Sequence, residues 1–305
     1  MTRHRVALFI PCFVDQLLPH VAQAMVRVLE RVGCQVEFPA AQTCCGQPAF
    51  STGHWAEARP LALRFAEIFA SPEALQAYDA VVCPSGSCTT MVRNFFPALA
   101  KGDAVLQRAI APLFAGGGRV FEFSEYLVRQ LHVRDVGAYF PYRVTFHDGC
   151  HALRELGLHD QPRELLQAVR GLELVEMEET TECCGFGGAF SMQMSDISAA
   201  LGQRKAANVE RAGVDFVTSC DPSCLMQIGG TLARQPGRAR AIHLAEILAA
   251  GLDAEPHASG AERSAQPSAR TRGDAGGARA GLRGPRDAPP AKRAAQPGAG
   301  TRQDA

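Results

Sequence analysis

Thr43-Cys44-Cys45-Gly46 occurs a second time in this chain, as Glu182-Cys183-Cys184-Gly185, and this repeat decides how the sequence is interpreted. Adjacent cysteines followed by glycine are unusual once and very improbable twice by chance. A lone cysteine precedes each pair, Cys12 by 32 residues and Cys150 by 33. Two more follow each pair, and these are Cys83 and Cys88, then Cys220 and Cys224. The chain is therefore interpreted as one unit duplicated, with equivalent cysteines 136 to 139 residues apart.

Short apolar runs alternate with amphipathic segments in both copies, which predicts an α/β fold with parallel sheets and helices on both faces. Strands are expected at residues 5–11, 35–38, 79–82, 143–146, 172–175 and 215–218. Every cysteine except Cys34 lies in a group that follows a predicted strand. Sites in such sheets gather at the carboxyl ends of the strands. Sulfurs that are distant in sequence should therefore converge at one edge of each sheet.

Length and composition divide the chain into three parts. The 305 residues, 47% of them hydrophobic, suffice for two domains with substantial cores. The repeat predicts two Rossmann-like units, at residues 1–135 and 136–252. Alanine, glycine, proline and arginine dominate beyond them, so residues 253–305 are predicted to form a disordered tail.

Charge and hydropathy exclude several classes of protein. The 31 basic and 31 acidic side chains balance, so no general affinity for nucleic acid is expected. The apolar run at the N-terminus is too short for a signal peptide, and no stretch approaches the roughly 20 apolar residues of a transmembrane helix. We therefore expect a cytoplasmic protein. Eleven cysteines in that reducing compartment favour metal or redox chemistry over disulfide bonds.

The vicinal pairs favour iron–sulfur clusters over zinc. Thiolates ligate both, but zinc sites commonly use C-x2-C knuckles, whereas two adjacent thiolates fit one tetrahedron poorly and can bind two metals of a cluster. Gly46 and Gly185 would permit close backbone approach and N–H donation toward sulfur. A zinc-stapled scaffold without redox activity stays open as an alternative. No G-x-G-x-x-G motif follows a strand, so no flavin or nicotinamide site is indicated.

These motifs resemble the cysteine-rich CCG domain, which is duplicated in heterodisulfide reductase B subunits and in glycolate oxidase iron–sulfur subunits. They are most similar to the lactate utilization protein A family, over roughly residues 5 to 252. The segments that carry the resemblance are Cys44-Cys-Gly-Gln-Pro-Ala49, Pro84-Ser-Gly-Ser-Cys88, His147-Asp-Gly-Cys-His-Ala-Leu-Arg154, Cys183-Cys-Gly-Phe-Gly-Gly188 and Ser223-Cys-Leu-Met226.

The resemblance implies an iron–sulfur electron-transfer subunit of an oxidoreductase complex that oxidises L-lactate to pyruvate. It implies a ferredoxin-like iron–sulfur subunit and a third small subunit as partners, and [4Fe–4S] clusters of cubane or noncubane type. Carried over by position, the two ligand sets are Cys12, Cys44, Cys45 and Cys88, then Cys150, Cys183, Cys184 and Cys224. A reductase acting on a thiol or heterodisulfide at its own cluster is the alternative within the same chemistry.

One departure from the family pattern concerns the end of each unit. The pattern ends in C-x-x-C, which would require cysteines at Ser85 and Asp221, and Cys83 and Cys220 lie beside those places at altered spacing. Three arrangements stay open: an oxygen of Ser85 or Asp221 ligates, the shifted cysteine substitutes, or each site keeps four thiols.

Other polar residues near the second set have simpler interpretations beside functional ones. His147 and His151 flank Cys150, and they either donate hydrogen bonds to a cluster, carry a proton or make ordinary hydrogen bonds. Asp148 is expected to cap the following helix in preference to a catalytic role. Cys34, which has no counterpart in the second copy, is interpreted as a small buried hydrophobe.

Overall fold

The computed structural model describes residues 4–252, and the predicted tail at 253–305 lies outside the described residues. The strands of the first half are β1 (Arg5–Leu8), β2 (Gln35–Glu37), β3 (Ala80–Cys83) and β4 (Val120–Glu122). Its helices are α1 (Cys12–Leu17), α2 (Pro19–Arg31), α3 (Gln47–Ser51), α4 (Trp55–Phe69), α5 (Pro72–Ala77), α6 (Gly86–Thr90), α7 (Phe96–Leu99), α8 (Ala104–Ile110) and α9 (Phe123–Glu125). Turns of π-helix at Met91–Phe95 and Tyr126–Gln130 and a 3₁₀ stretch at Ala111–Gly117 complete this half.

The second half repeats this order with fewer helices. Its strands are β5 (Arg143–Phe146), β6 (Glu173–Leu174), β7 (Phe216–Ser219) and β8 (Arg240–His243). Its helices are α10 (Cys150–Leu156), α11 (Asp160–Ala168), α12 (Phe190–Gln193), α13 (Ser195–Arg211), α14 (Pro222–Leu232) and α15 (Leu244–Ala249). Helices α12 and α13 are separated at Met194, whose backbone (φ −125°, ψ 52°) is not helical.

Each half contains one four-stranded parallel sheet, and the two sheets have the same topology. The strand orders are β2-β1-β3-β4 and β6-β5-β7-β8, with every pairing parallel. The α/β class and the duplicated sheets predicted from the sequence are confirmed. Parallel strands place all their carboxyl ends on one edge, so this topology gathers the cysteine loops of each half.

The two halves share a hydrophobic core. The largest cluster of buried side chains combines Met25 and Leu29 of α2 with Leu244 and Leu248 of α15. Helix α15 packs against α2, and α11 packs against α9, so elements of each half pack against the other half. The described residues 4–252 accordingly fall within one compact unit. The domain boundary at residues 135/136 stays a prediction.

Strand register corrects one equivalence assumed from the sequence. Pairing aligns Leu8 with Val82 in the first sheet and Phe146 with Thr218 in the second. The position equivalent to Cys83 is consequently Ser219, and Cys220 lies one residue further along, where the first half has Pro84. The sequence predicts that Cys83 and Cys220 are counterparts, because spacing alone cannot distinguish neighbouring positions at a strand end.

Within residues 4–252, no helix combines the length and the apolar character needed to span a membrane.

Candidate metal centre

The first cysteine set converges at the carboxyl edge of the first sheet. Cys12 begins α1 after β1, the vicinal pair lies in the loop after β2, and Cys88 lies in α6 after β3. The Sγ atoms of Cys12 and Cys44 are 3.8 Å apart, and those of Cys45 and Cys88 are 3.4 Å apart. Residues 32 and 43 positions apart in sequence are thus brought into contact as two pairs of sulfurs.

The second set is arranged on the second sheet in the same order. Cys150 begins α10, the pair Cys183 and Cys184 precedes α12, and Cys224 lies in α14. A ring nitrogen of His147 and the sulfurs of Cys184 and Cys224 all lie within 4.8 Å of one another. This is the one group of three or more metal-ligating side chains found at that spacing within residues 4–252.

The glycine after each vicinal pair makes the same turn in both halves. The Gly46 N–H donates to the sulfur of Cys44 at 3.4 Å, and the Gly185 N–H donates to that of Cys183 at 3.3 Å. Both glycines have left-handed φ values, +86° and +89°, which disfavour a side chain. The C-C-G motif therefore folds into a turn in which a backbone donor supports the first sulfur.

Both cysteine sets line one cavity of about 300 Å³. Apart from the sulfurs, many of the lining residues are aromatic residues, prolines and glycines. Among the described lining residues, Asp221 supplies the one carboxylate. The rings of Phe13 and Phe186, one from each half, meet edge to face there with centroids 5.5 Å apart. The eight cysteines that line the cavity are Cys12, Cys44, Cys45, Cys88, Cys150, Cys183, Cys184 and Cys224.

Comparison with known proteins identifies the family. Residues 6–93 and 144–229 both match the cysteine-rich domain family CCG. Lactate utilization protein A of Geobacillus kaustophilus is 41% identical over 244 residues, which cover 80% of this chain and 98% of the relative. Lactate utilization protein A of Bacillus subtilis is 39% identical over the same shares. This chain belongs to the lactate utilization protein A family.

A solved structure adds information on the fold alone. A hypothetical protein from Helicobacter pylori superposes with a TM-score of 0.51 at 10% identity. The match covers 81% of this chain and 49% of the Helicobacter chain, so this chain spans about half of that structure.

In this member of the lactate utilization protein A family, Cys83 and Cys220 lie outside the cavity lining. Both are buried; the Cys83 thiol contacts the Ser85 carbonyl at 3.7 Å, and the Cys220 sulfur lies 3.5 Å from the Ser124 hydroxyl. Their assignment as cofactor-binding residues stays a prediction. Cys34 is buried in the main hydrophobic core, as expected for a small hydrophobe.

Ser85 and Asp221, at the positions where a C-x-x-C pattern would need cysteines, line the cavity as helix caps. The Ser85 hydroxyl accepts from the Cys88 N–H at 3.3 Å at the start of α6. Asp221 accepts from the Ser223 N–H at 3.1 Å at the start of α14, and its other oxygen accepts from the Ser87 N–H of the opposite half at 2.8 Å. The sequence signal for this role, Ser or Asp just before a helix, was available. The sequence gives no signal for the hydrogen bond from the Ser87 N–H to Asp221, which joins the two halves.

Asp148 does not cap α10, so that prediction was wrong. Its buried carboxylate instead forms a bidentate ion pair with Arg163, with both N–O distances 2.9 Å, and Gly149 occupies the cap position. A carboxylate without exposure to water needs such a partner, and an arginine from α11 supplies it.

The two histidines beside Cys150 differ in environment. His151 lines the cavity, with Nδ1 3.7 Å from the Cys150 sulfur. His147 is 1% exposed, and neither ring nitrogen has a hydrogen-bond partner. Burial, with the charge of Lys205, lowers the pKa of His147 to about 4, so its ring is neutral near pH 7.

Mutual contact and burial shift the pKa values of the thiols. The hydrogen bond with Cys44 and burial raise the pKa of Cys12, whereas the pKa of Cys44 is lowered because its sulfur accepts that bond. Contacts with Cys44 and Cys88 raise the pKa of Cys45, and contact with Cys184 raises that of Cys183. Metals bind thiolates, so loading these sites must release protons.

Proposed function

We propose that this chain is an iron–sulfur electron-transfer subunit of a complex that oxidises L-lactate to pyruvate. The observation that carries the proposal is the convergence of eight cysteine sulfurs on one cavity, four from each half. The relatives' name, lactate utilization protein A, supports the metabolic assignment. A cytoplasmic location would keep these thiols reduced and available for metal.

The donor set fits an iron–sulfur group better than a disulfide framework or a simple zinc knuckle. Within the first set, sulfurs lie 3.4 and 3.8 Å apart in two pairs, and all the cysteines are free thiols. Cys12, Cys44, Cys45 and Cys88 would hold one group, and Cys150, Cys183, Cys184 and Cys224 the other. Such groups accept and pass on single electrons.

The chain's own residues supply the environment that such groups need. The N–H groups of Gly46 and Gly185 donate to the sulfurs of Cys44 and Cys183, which offsets the negative charge that thiolates carry. Aromatic rings such as Phe13 and Phe186 limit the access of water. Hydrogen bonding to sulfur and exclusion of water both tune the potential of an iron–sulfur group.

The character of the cavity favours electron transfer over direct binding of lactate. The substrate carries a carboxylate, for which proteins use arginine or another cation. The charged side chain among the described lining residues is instead the Asp221 carboxylate, which would repel it. We therefore assign hydride chemistry and onward transfer to partners, a ferredoxin-like iron–sulfur subunit and a third small subunit.

The test is lactate oxidation by the anaerobically purified complex with an artificial electron acceptor. Replacing Cys45 or Cys184 with serine should lower lactate-dependent acceptor reduction at least about tenfold, because one electron-carrying site is lost. Cys34→Ala is the matched control, since this buried thiol lies in the core outside the cavity, and it should retain activity.

Two results would overturn the proposal in different ways. Colourless protein that contains zinc, lacks iron and sulfide, and still supports lactate oxidation would indicate a zinc-stapled scaffold. Protein whose visible spectrum responds to a disulfide substrate but not to lactate in the complete complex would indicate a reductase that acts at its own cluster.

A further inference from the structure

Phe9 and His147 occupy the same backbone position in the two halves. The Phe9 N–H donates to the carbonyl of Val82 at 3.0 Å, and the His147 N–H donates to that of Thr218 at 2.8 Å. Val82 and Thr218 are themselves equivalent in the registers of the two sheets. The duplicated fold thus offers an internal control, with a phenyl ring in one half and an imidazole in the other.

The first half shows that this position does not need a polar side chain. Phe9 is fully buried and packs edge to face on Phe65 and Phe69, with ring centroids 4.9 and 5.8 Å away. In the second half, both ring nitrogens of His147 are buried without a hydrogen-bond partner. A buried polar group without a partner lowers stability, so packing alone would favour an apolar ring here.

The unpartnered imidazole lies beside two sulfurs of the second set. One of its nitrogens is within 4.8 Å of the sulfurs of both Cys184 and Cys224, which are within 4.8 Å of each other. Ligands of one tetrahedral metal lie about 3.5–4 Å apart, given metal–ligand bonds of about 2.0–2.3 Å. The three donors are therefore close enough to serve one metal centre after a small contraction.

We propose that His147 is a nitrogen ligand of the second metal centre, beside Cys184 and Cys224. This inference rests on the proposed function, because it requires a metal at the second set. The first half has Phe9 at the equivalent position, so its centre is held without this imidazole.

The decisive experiment is pulsed EPR on anaerobically purified, reduced full-length protein that contains ¹⁵N-labelled histidine. A strong coupling from a directly bound nitrogen is expected in the wild type and in His151→Phe, and its absence is expected in His147→Phe. The wild-type and His151→Phe spectra together decide the matter even if His147→Phe folds poorly. Absence of the coupling in the wild type, or its persistence in His147→Phe, would overturn the inference.

X-ray absorption at the metal edge extends the test to a metal that gives no EPR signal. A nitrogen scatterer should accompany sulfur in the wild type and disappear in His147→Phe, and a shell of sulfur alone in the wild type would overturn the inference. The metal content of the protein distinguishes failure of the His147 inference from failure of the proposed function. If replacing both Cys184 and Cys224 with serine leaves the metal content of the protein unchanged, the second set holds no metal and both proposals fail.

Discussion

The two halves of this protein share a backbone but differ in the polarity of the side chains behind the cysteines. Both have the same strand order and the same C-C-G turn. Behind the first set, the residues after β1 are Phe9 and Ile10, whereas the residues after β5 are His147 and Asp148. The comparison teaches that the same strand order and C-C-G turn accommodate apolar residues after β1 and buried polar residues after β5.

The largest difference in stability between the halves should come from the Asp148–Arg163 ion pair, because the equivalent residue of the first half is the apolar Ile10. Arg163→Met leaves the fully buried Asp148 carboxylate without its bidentate partner, which should destabilise the protein by about 3–5 kcal/mol. Urea unfolding measures this change. The double variant Asp148→Ile/Arg163→Met copies the apolar Ile10 of the first half and should recover most of the loss. A single variant as stable as the wild type would show that the carboxylate is not desolvated.

Glu122 and His243, which cap α9 and α15, should make stability depend on pH in opposite directions. In the first half, burial raises the pKa of Glu122 to about 7, because one carboxylate oxygen has no partner. The folded state then retains a proton that the unfolded state has lost. Stability relative to Glu122→Gln should fall by roughly 3 kcal/mol as pH rises from about 4.5 to 7. Parallel stability curves for the two proteins over that range would contradict this.

The equivalent residue of the second half is His243, and its contribution should be lost in acid. Its Nδ1 accepts from the Ala245 N–H at 3.1 Å, so Nε2 carries the proton and donates to the Pro84 carbonyl at 3.0 Å. Burial lowers its pKa to about 4. Stability relative to His243→Asn should therefore fall by roughly 3 kcal/mol as pH drops from about 6.5 to 4. Unfolding curves at matched pH values check the sign, and a loss on the alkaline side would refute it.

The glycines of the two C-C-G turns should tolerate alanine unequally. Both have positive φ, which costs an alanine about 1 kcal/mol. A Cβ on Gly185 would also lie 2.5 Å from the Ser198 carbonyl oxygen, whereas one on Gly46 meets nothing closer than 3.5 Å. Gly185→Ala should therefore lose about 1–3 kcal/mol more than Gly46→Ala. Equal losses in urea unfolding would show that the second turn can move aside.

The smallest difference in stability concerns Ser85 and Asp221, which cap α6 and α14. Ser85→Ala removes one cap bond and should cost about 1 kcal/mol. Asp221→Ala also removes the bond to the Ser87 N–H across the halves and should cost about 2 kcal/mol. Thermal unfolding of the two variants provides the measurement. A larger loss for Ser85→Ala would mean that the cross-half bond contributes little.

Much of the fold followed from the sequence because its signals are local. Apolar strand runs and the repeated C-C-G motif indicate parallel sheets, and strand ends then place the thiols. Contacts between the halves carry no local signal. The Asp148–Arg163 pair and the Asp221 bond to Ser87 depend on how separate elements pack, and spacing could not show that Cys83 and Cys220 are not equivalent.

The most direct measurement of the central claim is iron and acid-labile sulfide per chain in protein purified without oxygen. The wild type should contain both, and replacing Cys45 and Cys88, or Cys184 and Cys224, with serine should remove roughly half while leaving the other centre intact. Wild-type protein without iron and sulfide, or loss of all metal in either double variant, would contradict two separate centres held by the two halves.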